Sequence, residues 1–311
     1  MQNIMWIDGQ YAIENDVKIP VFSQTLHYGF GVYEGIRSYE TTKGPAIFRL
    51  QDHIDRLFES ADILKIKIPF TKQELLLAHH TLLEKNNFAN AYLRPVVFMG
   101  DEYPGLHTLK SSVHVMIAVI AWNHFFVSAH TAQHGICIKT STYRRPSLNN
   151  HLNHAKANGL YIISMLANNE AHAENYDDAL LLDQQGFVAE CSGANIFFIK
   201  NNVLYTPRPD YILNGITRKT IIHLAKVENI QVIEKNISLE ELYSADEVFL
   251  TGTASEVLPV TSVDSCVIST GEIGMLTQQL QAQYRNIVTG HDEKFGQWLS
   301  YGLNKEVCYE R

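Results

Sequence analysis

The chain has 311 residues, 46% apolar and 19% charged, with a formal net charge of −8. That length suggests two domains or one large one, and the apolar share supplies a substantial core. The acidic balance excludes bulk nucleic-acid binding, though not a local basic pocket for a small anion, and no apolar run approaches the roughly eighteen residues of a membrane span. In chain order, MQNIMWIDGQ lacks the basic start and long apolar run of a signal peptide, and IMWIDGQYA predicts two strands about an Asp8-Gly9 turn. Leu50, Ile54, Leu57, Ala61 and Leu64 step by four and three along one helix face. A second helix opens at Thr71, with Glu74 at capping-box spacing; its His79 and His80 read as solvated or half-buried. AYLRPVVF (91–98) and VHVMIAVIA (113–121) read as strands and complete an α+β unit over residues 1–121.

Residues 122–135 read as an interdomain linker, and 136–311 as a larger second domain. In that domain 157–174 is helical, and DALLLD, FVAECSG, NIFFIK and NVLYTP are short strands separated by QQG and NN turns. A helix over 216–229, strand IQVIEK, a short helix in LEELYSA, strand EVFLTGT and a helix near 274–288 follow. Short strands mixed with helices predict an α+β fold of two domains, the second barrel-like. The four cysteines (137, 191, 266 and 308) form no C-x-x-C pair, so free buried thiols and a cytoplasmic location are expected.

The most informative stretch is FVAECSGANIFFIKNNVLYTPRPDYILNGITR (187–218). Glu190 interrupts an apolar run, and a carboxylate there is costly unless it meets a cation. Gly215-Ile216-Thr217 opens an amphipathic helix, and such an N-terminus is an anion site. Pyridoxal 5′-phosphate, with a protonated ring nitrogen at one end and a phosphate at the other, would satisfy both. Plainer readings stand beside these. Glu190 fits the polar face of an alternating strand equally well, and the threonines at 217 and 253 fit ordinary helix or turn capping. Arg56 reads as a snorkelling surface arginine or a phosphate ligand. Arg94, inside an apolar strand, should meet a carboxylate of protein or substrate. Lys156, beside a small residue and near a glycine, reads on chemistry alone as one more solvated lysine. The fourteen histidines show no metal spacing, and no P-loop, G-x-S-x-G elbow or dinucleotide fingerprint appears.

Taken in order, HYGFGVYEGIR (27–37), KGPAIFRLQDHIDRLFESA (43–61), AYLRPVVFMGD (91–101), AKANGLY (155–161), AECSGANIFFIK (189–200), NGITR (214–218) and DEVFLTGTASEVLPV (246–260) resemble the fold-type IV pyridoxal-phosphate enzymes. The closest likeness is to the branched-chain amino acid aminotransferases, because the Glu-Gly-Ile-Arg run and the Tyr-x-Arg-Pro strand occur together. The D-amino acid aminotransferases and aminodeoxychorismate lyases match the second half equally well and are the alternatives within the fold; a non-catalytic pyridoxal-phosphate-binding protein is the alternative outside catalysis. The resemblance implies a small N-terminal α/β domain and a larger pseudo-barrel domain. It also implies ping-pong transfer of the amino group of leucine, isoleucine or valine to 2-oxoglutarate, in branched-chain amino acid biosynthesis or degradation. Its partners are then amino acids and 2-oxo acids, with a homodimer or an assembly of dimers.

Residue by residue, the resemblance implies Lys156 as the Schiff-base lysine and proton shuttle, Glu190 as partner of the ring nitrogen, and Tyr161 as donor to the ring's phenolic oxygen. It implies Arg56, Ile216 (through its backbone amide), Thr217 and Thr253 as the phosphate cup. Tyr92, with the backbone of Thr253 and Ala254, is implied for the substrate α-carboxylate. Arg94 and Tyr28 are implied for the distal carboxylate of glutamate, and Tyr33 and Trp122 as walls of the aliphatic pocket. Three departures from the family pattern bear on substrate preference. NNHLNH, with His151 and His154, precedes Lys156 where small residues and proline are usual; the 100–112 stretch is short; and Phe125 stands where bacterial members carry tyrosine.

Overall fold

The computed structural model describes residues 3–100, 102, 105–108, 111–122, 129–146 and 152–302. Two compact units emerge: residues 1–123, 155–159 and 286–311 form one, and residues 124–154 and 160–285 the other. This differs from the contiguous split expected at 121 and 136. The first unit reclaims both the lysine segment and the C-terminal stretch through backbone pairing.

In the first unit the sequence alternates strands and helices: β1 (Ile4–Ile7), β2 (Gln10–Ile13), α1 (Gln24–Tyr28), β3 (Gly31–Tyr33), β4 (Ile36–Thr41), β5 (Gly44–Phe48), α2 (Leu50–Ile63), α3 (Lys72–Asn86), β6 (Ala91–Met99) and β7 (Val113–Ala121). The Asp8-Gly9 hairpin forms as expected. Both residues take positive φ, 46° and 87°, as a two-residue turn matched to strand twist demands. Strand β6 lies at the centre of the sheet, paired with β4 and, over its whole length, antiparallel with β7; β3 also pairs with it. The late strand Leu299–Tyr301 adds to β5 at the sheet edge. Along β7, Val115, Ile117 and Val119 are buried, the two-residue period of a strand with one face on a core.

Helix α2 buries the expected Leu50, Ile54, Leu57 and Ala61, and with them the polar His53, Arg56 and Ser60. Helix α3 carries the expected capping box, with Thr71 Oγ1 accepting from Glu74 N at 3.2 Å and Glu74 Oε2 accepting from Thr71 N at 2.7 Å. His79 and His80 are not solvated. Both are buried, His79 Nδ1 against Leu75 O (2.6 Å) and His80 Nε2 against Ser300 Oγ (2.8 Å). Burial drives both imidazoles down to about 4.

The second unit contains α4 (Ala129–His134), in the stretch expected to be linker, then β8 (Ile136–Arg144), α5 (Tyr161–Ala173), β9 (Asp178–Leu182), β10 (Val188–Cys191), β11 (Asn195–Lys200) and β12 (Val203–Pro207). It continues with α6 (Ile216–Val227), β13 (Val232–Lys235), α7 (Leu239–Tyr243), β14 (Glu247–Gly252), β15 (Glu256–Val263) and α8 (Met275–Val288), of which the last three residues belong to the first unit. The sheet order is β10-β9-β8-β15-β14-β11-β12-β13, mixing parallel and antiparallel pairs. Its core gathers Ile138, Leu180, Ile196, Phe198, Leu250 and Val263. The helix expected from 157 starts at Tyr161, preceded by a 3-10 turn over Asn158–Leu160.

Candidate functional site

Lys156 is held by its main chain within the first unit. Its N–H donates to Ser60 Oγ (3.0 Å), and its carbonyl accepts from Tyr33 N (3.1 Å). Ala157 bridges to Val32, and Gly159 N donates to Gly29 O (3.0 Å). The side chain is half-buried, with Nζ 4.8 Å from the centre of the Tyr33 ring, a cation–π approach. The guanidinium of Arg94 also lies 4.6 Å from the Tyr33 ring centre. Arg94 Nη2 donates to Tyr92 Oη (2.8 Å), and Trp122 lies against Tyr92 with ring centres 6.1 Å apart. Among the described residues Arg94 meets no carboxylate, in contrast to the protein partner that its apolar strand suggested as one option. Lys156, Tyr33, Tyr92, Arg94 and Trp122 therefore form one neighbourhood. Tyr28 is exposed at the end of α1, with its ring near His27.

Arg56 is buried rather than snorkelling. Glu34, with no exposed surface, accepts from Arg56 Nε (2.6 Å) and Nη2 (2.9 Å), and its Oε2 lies 2.7 Å from His53 Nδ1. Burial alone would raise the Glu34 carboxyl; the charges and hydrogen bonds of Arg56 and His53 outweigh that and hold it well below the carboxylate range. Burial lowers the His53 imidazole, Glu34 opposes this, Arg56 and Lys156 add to it, and the net shift is down. A neutral imidazole facing an ionised carboxylate places the proton on Nδ1, which donates.

In the second unit, buried Glu190 sits on β10. Arg145 Nε, also buried, stands 2.8 Å from Glu190 Oε1, close enough for an ion pair though not aligned as a hydrogen bond. Glu190 Oε2 accepts from Asn195 Nδ2 (3.2 Å) and Leu213 N (3.2 Å). This is more than the polar strand face that alternation suggested. The same Asn195 amide donates to Leu213 O (2.8 Å) and abuts Gly215, where a Cβ would collide with Asn195 Oδ1. Glycine is thus required where α6 begins, and no side chain caps that helix at Gly215. Ile216 and Thr217, its first residues, are buried. Thr253 and Ala254 lie half-buried in the three-residue turn joining β14 to β15, and Thr251 just before it pairs with Asn195. Tyr161 is the first residue of α5 and half-buried.

Sequence reasoning missed Glu34, His53, Ser60, Arg145 and Asn195. An acid within the apolar GVYEGI was the available signal for Glu34; Arg145, next to Arg144, offered none. His151 and Phe125 lie outside the described residues, as do 101, 103–104 and 109–110 of the short loop. His154 ends a 3-10 turn, Leu152–His154, and is half-buried. Among the described residues no group of acids, histidines and cysteines is arranged to hold a metal, and no helix is long and apolar enough to cross a membrane.

Residues 31–263 match the model of the family described as amino-transferase class IV. A branched-chain-amino-acid aminotransferase of Pseudomonas aeruginosa is 44% identical over 295 residues, covering 95% of this chain and 96% of that protein. This chain belongs to the class IV amino-transferase family. Solved relatives agree over nearly the full length. A branched-chain aminotransferase from Thermoproteus uzoniensis with norvaline superposes with a TM-score of 0.92 at 37% identity, covering 97% of this chain and all of that one. The pyridoxal-phosphate form of the branched-chain amino acid aminotransferase from Thermobaculum terrenum gives 0.87 at 30%, covering 96% and 98%. The α+β architecture is therefore that of the fold-type IV enzymes.

Proposed function

We propose that the chain is a transaminase that moves the amino group of L-leucine, L-isoleucine or L-valine to 2-oxoglutarate, with pyridoxal 5′-phosphate as cofactor. The observation that carries this is Lys156, anchored on both sides of its main chain beside an arginine that meets no carboxylate among the described residues. Each unit by itself carries groups suited to the cofactor's chemistry: the first an amine and a buried guanidinium, the second a buried carboxylate and a helix start where only glycine fits against Asn195. When bound, the cofactor supplies a carbonyl carbon for amine exchange and a ring that takes up the electron pair left at the substrate α-carbon.

The residues divide the remaining work. Lys156 Nζ takes the α-proton and returns it. Glu190 accepts the ring N–H, and the Arg145, Asn195 and Leu213 contacts hold its carboxylate in place for that. Tyr161 donates to the ring's phenolic oxygen. Arg56, the amides at Ile216 and Thr217, and the Thr253 hydroxyl hold the phosphate. Tyr92, with the backbone of Thr253 and Ala254, takes the substrate α-carboxylate. Arg94 and Tyr28 take the distal carboxylate of glutamate, while Tyr33 and Trp122 wall the aliphatic side chain. One pocket then accepts a hydrocarbon and a carboxylate in turn.

We further propose a cytoplasmic homodimer acting in branched-chain amino acid metabolism. Exposed apolar side chains at Val21, Phe22 and Leu26 near α1, and at Ile162 and Met165 on α5, suit surfaces that a second copy covers; the described cysteines are free, as in a reducing compartment, although only Cys191 is buried as expected, Cys137 being half-buried and Cys266 exposed. The test is Lys156→Ala. It should abolish both the visible absorbance of the bound cofactor and turnover of L-leucine with 2-oxoglutarate, and near-normal turnover would end the proposal. D-Alanine and aminodeoxychorismate as substrates separate the alternatives within the fold.

A further inference from the structure

Glu34 stands at the junction of β3 and β4, with its main-chain N–H donating to Pro95 O at 2.9 Å. A carboxylate without exposed surface needs compensating partners, and both partners come from one helix. His53 and Arg56 are three residues apart on α2, so they project from the same face. Four residues further along that face, Ser60 Oγ receives the main-chain N–H of Lys156. A guanidinium is a rigid fork whose donors serve two edges. Glu34 takes the edge made of Nε and Nη2, and the end made of Nη1 and Nη2 is the one suited to a second oxyanion.

We propose that Glu34 is a positioning residue for Arg56, gripping one edge of the guanidinium so that the other is set for the cofactor's phosphate. This rests on the phosphate role proposed for Arg56 above. His53 completes the grip from the preceding turn of α2, holding the carboxylate oxygen that also receives Arg56 Nη2. A freely rotating arginine would bring more net charge to the phosphate but would have to be ordered on binding. With Glu34 in place the ordering is done by the fold. The same helical face then fixes two points of the cofactor's surroundings, the guanidinium through Glu34 and the lysine backbone through Ser60.

The test compares pyridoxal phosphate with pyridoxal, which lacks the phosphate, on full-length protein stripped of cofactor. Equilibrium affinities are read from the change in visible absorbance. Glu34→Gln should weaken pyridoxal phosphate binding at least about tenfold, as expected for losing a charge-assisted bidentate contact, and leave pyridoxal within about threefold. In an Arg56→Gln background, Glu34→Gln should add less than about twofold, because the two act as one unit. The double variant buries no charge at this place and so controls for folding. Equal loss of both ligands, additive losses, or unchanged pyridoxal phosphate affinity in Glu34→Gln would overturn the inference. If Arg56→Gln itself spares the preference for the phosphorylated ligand, the phosphate role of Arg56 fails and takes this inference with it. Wild-type protein that takes up neither ligand defeats the cofactor reading instead.

Discussion

Glu190→Gln tests what the buried carboxylate does for the fold and for the reaction separately. The carboxylate meets the charge of Arg145 on one side and the donors Asn195 Nδ2 and Leu213 N on the other. A glutamine of the same shape has one oxygen. Whichever way its amide turns, an N–H faces an N–H, and Arg145 is left charged and 5% exposed. Breaking a buried pair from one side costs about 3–5 kcal/mol. The cofactor-free protein should lose that much unfolding free energy, read from urea midpoints in the absence of cofactor so that ligand binding does not add to stability. Adding Arg145→Met removes the orphaned charge and should restore stability to within about 1 kcal/mol of wild type, since hydrophobic replacement of a buried pair is often neutral. Turnover should not return with it. If Glu190 holds the ring proton, both variants stay slower by roughly 10- to 100-fold, the size of a lost charge-assisted hydrogen bond. The reasoning is refuted if Glu190→Gln alone unfolds within about 1 kcal/mol of wild type, or if the double variant regains turnover.

The first unit should be acid-sensitive through His79 and His80. Their folded values near 4 lie below the ordinary 6.5, so their stabilising effect is complete above pH 6.5 and is lost as pH falls toward 4. At about pH 5 the loss is on the order of 2 kcal/mol each; urea midpoints across pH for His79→Gln/His80→Gln should fall less steeply than wild type, and an equal slope would refute it. Arg94→Met should raise the KM for 2-oxoglutarate by about 10- to 100-fold, the worth of a charged hydrogen bond, and that for L-leucine by less than about threefold; equal effects on both would remove Arg94 from the distal site.

The elements most readable from sequence were those with local causes. Asp8-Gly9 dictates its turn by backbone preference, and Thr71 with Glu74 dictates a helix start by two reciprocal hydrogen bonds. The helix face of Leu50, Ile54, Leu57 and Ala61 followed from period alone. What escaped depends on distant partners. His79 and His80 look polar in sequence and are buried because Leu75 O and Ser300 Oγ receive them. Arg145 and Asn195 acquire meaning only through Glu190, 45 and 5 residues away. Glu190 itself was visible as an acid in an apolar run, but its setting was not. The strands β3, β4 and β5 were unread because GVYEGIRSYETTKGPAIF lacks clean alternation, and β4 is buried over four successive residues.

The five residues around Lys156 belong to the first unit while the chain on either side belongs to the second, and the last 26 residues return to the first. Neither half is therefore one continuous stretch of polypeptide. A gene cut after residue 123 would yield a fragment lacking the edge strand Leu299–Tyr301 and Lys156 alike. Evolution or engineering that shuffles such a protein must move both portions together, and a nascent chain cannot finish its first-begun half until Tyr301 has been made.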